Sequence, residues 1–227
     1  MAREFRFVLV LMLCCLYNTP FVAGQGSVSF QCNEPLTPGI GRKIGNDSSK
    51  ITVSMVKFYL QQLTVSRNDK ILWTSTESHL IDLSDTNKVT LAIPLSLGKN
   101  DCLTFTLGID SATCVSGVKD GDLDPSKGMY WTWRSGYINM KVEGTADRSK
   151  SSDHAFQLHL GGYAHPYPTA RVVTRCLSNP GDPTFSLSLE KFLSQTDLSS
   201  KDHVMTPGES AATLSQAAAA SFEVIQP

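Results

Sequence analysis

The chain lacks most of the features that would announce a chemistry. Its 20 Lys and Arg nearly balance 21 Asp and Glu, for a formal charge of −1. Without a basic field there are few counterions to release, which argues against a nucleic-acid partner. No G-x-S-x-G, H-E-x-x-H, P-loop or dinucleotide fingerprint occurs, so a non-enzymatic protein is expected. No C-x-x-C pair occurs either, which makes zinc the weaker reading of the cysteines. The one long apolar run is Phe7 to Leu16, well short of the roughly twenty residues that span a bilayer.

That run has its own meaning. Arg3 and Arg6 precede it and the small residues Val22-Ala23-Gly24 follow it, the layout of a secretory signal. Residues 1–24 are therefore expected to leave, and 25–227 to form one mature domain that is secreted, periplasmic or on the cell surface. Cys14 and Cys15 go with the signal, and Cys32, Cys102, Cys114 and Cys176 remain. In an oxidising compartment, four cysteines suggest two disulfides with three possible connectivities. Cys102 and Cys114 flank a strand and turn, so Cys102–Cys114 is expected and, by elimination, Cys32–Cys176. Asn46-Asp47-Ser48 is an acceptor sequon.

What is present is short strands. Ile51 to Val65 alternates, slips near Met55–Val56 and resumes through Phe58 and Leu60, which predicts a bulged strand. Ile71–Trp73, His79–Leu83, Val89–Leu95, Cys102–Ile109, Tyr137–Glu143, Phe156–Leu160, Arg171–Arg175 and Thr184–Leu189 follow in the same style. Ser27 to Lys50, rich in Gly and Pro, reads as loop. Ser210 to Ser221 is Ala-rich and suits a short C-terminal helix, with a turn of helix near Leu189–Leu193. The whole predicts an all-β chain, an antiparallel β-sandwich in a single domain.

The densest stretch runs from Asp110 to Gly144. Asp120-Gly121-Asp122-Leu123-Asp124-Pro125 leads into Gly128-Met129-Tyr130-Trp131-Thr132-Trp133. Alternate carboxylates Asp120, Asp122 and Asp124, with Asp110, suit a hard cation such as calcium. No bidentate Glu stands at the twelfth position, and a solvated acidic turn is the other reading. Trp131 and Trp133 would share one face of a strand, with Trp73 apart from them. Core packing is the ordinary role of such rings. Arg134 and Glu143 are expected to pair.

Leu107-Gly108-Ile109-Asp110, Gly128-Met129-Tyr130-Trp131-Thr132-Trp133, Phe156-Gln157-Leu158-His159-Leu160-Gly161-Gly162 and Met205-Thr206-Pro207-Gly208 together resemble the MbnP-like family of secreted copper-binding proteins. The resemblance covers about Lys57 to Phe222. It implies a β-sandwich that binds copper through two histidines, with a nearby tryptophan oxidised to kynurenine and, in some members, a structural calcium. It also implies a membrane transporter or peroxidase as partner. The Trp-x-His or His-x-Trp spacing associated with those copper sites is absent from this chain.

On that footing His159 and His79 are the expected copper ligands, His159 because its strand turns it away from Phe156, Leu158 and Leu160. The plainer reading of each is a half-buried strand histidine bonded to its neighbours. His154, His165 and His203 sit in polar or Pro-flanked loops, and Met129, Met140 and Met205 are commoner as core filler than as thioether ligands. Two readings follow: copper acquisition or delivery through strand-borne histidines, or an extracellular binding module without copper, stiffened by calcium.

Overall fold

The computed structural model describes residues 24–34, 36, 42–44, 50–84, 86–131 and 135–226. The signal segment, the sequon Asn46, Trp133 and Arg134 lie outside the described residues. The strands are β1 (Gly26–Cys32), β2 (Arg42–Ile44), β3 (Ile51–Arg67), β4 (Lys70–Thr74), β5 (Ser78–Asp82), β6 (Lys88–Ile93) and β7 (Asp101–Leu107). After helix α1 (Ser111–Val115) and two 3-10 turns come β8 (Tyr130–Trp131), β9 (Gly136–Ala146), β10 (Ala155–Gly161), β11 (Arg171–Cys176) and β12 (Thr184–Leu187). Helix α2 (Leu189–Ser194), β13 (His203–Val204), α3 (Glu209–Ala220) and β14 (Phe222–Ile225) complete the order.

The strands form a four-stranded sheet, β14-β12-β1-β6, and a larger sheet whose main path is β11-β7-β3-β9-β10-β13. Apolar residues alternate along both and meet in one core that includes Phe30, Phe185, Phe58, Phe105 and Phe222. The expected sandwich is present, but its sheets are mixed. β1 pairs with β12 in parallel, and β10 with β13 likewise.

β3 is the long spine of the large sheet. Lys57 pairs with Asp82 of β5 and with Lys141 of β9, so those strands lie on opposite edges. Leu60 pairs with His79 of β5 and Leu107 of β7. Hence β9 and then β7 follow one another along the same edge of β3. The predicted slip is there: the register shifts between Val53 and Met55, which keeps Val53, Val56, Phe58 and Leu60 all buried.

Two expectations change. Gly26–Cys32 is not loop but an inner strand, because Val28, Phe30 and Cys32 alternate inward and are buried. The disulfide is Cys102–Cys176, not Cys102–Cys114 or Cys32–Cys176. β7 and β11 are antiparallel neighbours whose register sets Cys176 opposite Cys102. Cys114 has left that plane on α1, and Cys32 ends a strand of the other sheet; both are buried free thiols. Burial pushes the Cys114 thiol up and the Cys32 thiol to about 12, so neither is a ready nucleophile.

A candidate metal-binding face on the large sheet

Directly opposed residues share a face of a sheet. Asp82, Lys57, Lys141 and His159 therefore form one row across β5, β3, β9 and β10. That row lies on the side away from the core, since Phe58 and Leu158, next in their strands, are fully buried inside. A second apolar cluster covers part of this outer face. It holds Tyr59, Ile109, Cys114, Leu123, Met129, Trp131, Tyr137 and Ile138.

Residues 110–131 and 135–137 build most of that cover, and their polar groups pin it down. Asn139, buried, accepts the Ile109 N–H (2.9 Å) and donates to Thr169 Oγ1 (2.9 Å). The Tyr59 hydroxyl donates to the Asp122 carbonyl (3.1 Å), and the Leu80 N–H donates to the Asp122 carboxylate (3.0 Å). Burial pushes the Tyr59 phenol far above its usual range. Trp131 is packed over Gly161, where a Cβ would lie 2.6 Å from its ring. Tyr59 and Tyr130 each meet Tyr137 edge to face, with centroids 5.7 and 5.0 Å apart.

Beside this cover sits His159, whose side chain is 7% exposed. Its Nε2 lies 2.7 Å from Glu143 Oε1. That bond holds the Glu143 carboxyl below its usual range, against the opposing effect of burial. An ionised carboxylate only accepts, so Nε2 carries a proton, and in the neutral imidazole Nδ1 is then the nitrogen with the lone pair. Nδ1 is buried and has no hydrogen-bond partner among the described residues. Lys141, whose ammonium is pushed down by burial, is turned to the Gly128 carbonyl (2.7 Å), and Lys57 pairs with Asp82 (2.8 Å).

The expected ligand pair does not come together. His79 lies opposite Leu60, beside buried Ile81, and so belongs to the inner face, while His159 belongs to the outer one. Trp73 shares the inner face with Val65 and also stands apart from His159. The acidic residues are dispersed among backbone caps: Asp110 caps α1 through Thr113, Asp124 accepts from Ser126, and Asp122 serves Leu80, while Asp120 is exposed. Among the described residues no group of three or more His, Cys, Asp or Glu is placed to hold a metal ion. Met129 and Met140 are packed inside, and Met205 is at the surface. His154 and His165 lie in exposed turns, and the His203 ring is 3.5 Å from Asp202.

The set available for a metal is thus one imidazole oriented by a carboxylate, the arrangement in which the outer partner fixes the ligand's tautomer. Glu143 was assigned to Arg134 in the sequence. Arg134 lies outside the described residues, and the Glu143 bond to His159 could have been found by laying β9 against β10, where Glu143 faces Gln157 and stands diagonal to His159.

Comparison with known proteins agrees with this fold. A family model described as MbnP matches residues 20–207. Among solved structures, MbnP from Methylosinus trichosporium is similar, with a TM-score of 0.53 and 14% identity. The match covers 78% of this chain and 79% of that one; at such identity the likeness speaks for the fold. No curated protein matches. No helix among the described residues is long and apolar enough to cross a membrane.

Proposed function

The chain belongs to the MbnP family, and from that premise we propose that it is a secreted, non-enzymatic copper-handling protein. In this reading His159 is the protein's copper ligand, through Nδ1, and Glu143 is the residue that positions it. One observation carries the assignment: the buried, unpartnered Nδ1 of a ring whose other nitrogen is held by a carboxylate. A buried acceptor left unmade costs about 1–3 kcal/mol, and an imidazole lone pair is a suitable donor to copper.

A single protein donor, shielded from solvent, leaves the remaining coordination positions to an incoming group. That suits acquisition and hand-over, to a membrane transporter or a peroxidase, more than permanent storage. The N-terminal signal pattern and the Cys102–Cys176 disulfide both support export to an oxidising compartment.

The test is metal content of the mature protein after loading with Cu(I) or Ca²⁺ and desalting. Near-stoichiometric copper is expected in the natural protein and in His79→Ala. It is expected to be lost in His159→Ala and His159→Gln, with the far-UV circular dichroism of the variants unchanged. Absence of copper from the natural protein would overturn the proposal and favour a copper-free binding module. Retained calcium in that case would revive the acidic loop as a stiffener.

A further inference from the structure

On the side of the sandwich away from the proposed copper ligand, the two sheets leave a seam. β6 ends the four-stranded sheet, while β4 and β5 pair only with β3 and so end the large one. Between these edges opens a cleft of about 430 Å³, with Leu63 and Leu91 contributing its apolar part and Trp73, Thr76, Glu77 and His79 around them. That volume lies in the range of small-ligand sites.

Its polar groups are poorly used by the protein itself. His79 is turned inward by its register opposite Leu60, and its side chain, only 20% exposed, makes no hydrogen bond among the described residues. The nearest charged atom is Glu77 Oε2, at 3.7 Å. Trp73 is also turned inward, opposite Val65, and its indole N–H has no partner among the described residues. A part-buried indole N–H ordinarily finds one. Glu77 is held in place by its backbone: its N–H donates to Ser75 Oγ (3.1 Å), and the Ser75 N–H donates to the Leu63 carbonyl (2.8 Å). The carboxylate itself is largely free, 77% exposed.

We propose that this seam cleft is a binding site for a saccharide. The free groups are a neutral donor (indole), an acceptor (carboxylate) and a ring that serves as either (imidazole), set around an apolar floor. A purely apolar ligand would leave all three unpaired. A simple cation would gain little from one carboxylate so exposed. Sugar hydroxyls both donate and accept, and the C–H face of a pyranose ring packs on an indole. The inference is independent of the copper reading, since His159 lies on the other face of the sheet.

The experiment is titration of the mature, copper-free protein with cellotetraose, chitotetraose and maltotetraose. It is followed by calorimetry and tryptophan emission, with choline as a cationic control. Saturable binding of at least one oligosaccharide is expected. Trp73→Ala should abolish it. Trp73→Phe, which keeps packing but removes the N–H, and Glu77→Gln and His79→Ala should each weaken it about tenfold, and His159→Ala should leave it unchanged. No binding of any of the three up to millimolar concentration overturns the proposal. So does binding that survives both Trp73 variants, or binding of choline alone.

Discussion

Three N–H groups reach the fully buried carboxylate of Asp101: Arg67 Nε at 2.5 Å, Arg67 Nη2 at 2.8 Å and the Gly98 backbone at 2.7 Å. The Arg67 hydrogen bonds are the largest reason its carboxyl is held below the usual range. A carboxyl lowered by folding contributes stability that is fully present above the unfolded value, near pH 4, and is lost as pH falls through the folded one. The natural protein should therefore lose stability on acidification below about pH 4. Arg67→Ala should lower the denaturation midpoint at pH 7 and flatten that acid dependence. Midpoints measured from pH 2 to 7 check both, and an unchanged slope in the variant would count against this pair as the source. At this scale the sequence was informative where alternation decides: His159 was assigned off the core face, and it lies there. It did not foresee the Glu143 bond to His159, which depends on a cross-strand register that no local pattern encodes.

The elements were legible in proportion to how local their signals are. The strands around Phe58, Phe105 and Phe156 alternate plainly, and the α3 helix follows from its alanines. β1 was hidden because the glycines and prolines just beyond it outweighed the Val28, Phe30 and Cys32 alternation. The disulfide was misassigned because pairing depends on strand order, and nothing in the sequence says that β11 returns beside β7. The bridge matters because β11 is an edge strand held on that side by β7 alone. Cys102 and Cys176 are separated by 74 positions, so linking them removes considerable freedom from the unfolded chain. Its reduction, or Cys102→Ala with Cys176→Ala, should cost about 2–4 kcal/mol. Hydrogen exchange should show the loss concentrated in β11 and β7. The unfolded, unreduced mature protein should titrate two free thiols, Cys32 and Cys114, and a count of zero would contradict the single bridge.

Across the whole molecule the two sheets are joined by rings. Phe30 of β1 lies 5.5 Å from Phe185 on its own sheet and from Phe105 across the core, and 6.2 Å from Phe58. Phe222 of β14 meets Phe58 and Phe105 at 5.4 and 5.7 Å. Phe30 thus touches both layers from the middle of the smaller one, and that layer takes its strands from opposite ends of the chain. If residues 25–227 fold as one unit, Phe30→Ala must weaken both sheets together, by about 3–5 kcal/mol for a buried phenylalanine cut to alanine. Trp73 and Trp131 report on the larger sheet and its outer cover, while far-UV circular dichroism reports on the strands of both. Denaturant curves from the two probes should therefore coincide in the natural protein and shift by the same amount in the variant. Two separated transitions, with only the dichroism curve moved by Phe30→Ala, would instead mean that the four-stranded layer folds on its own. The face proposed to handle copper and the seam cleft would then belong to a larger sheet that stands without it.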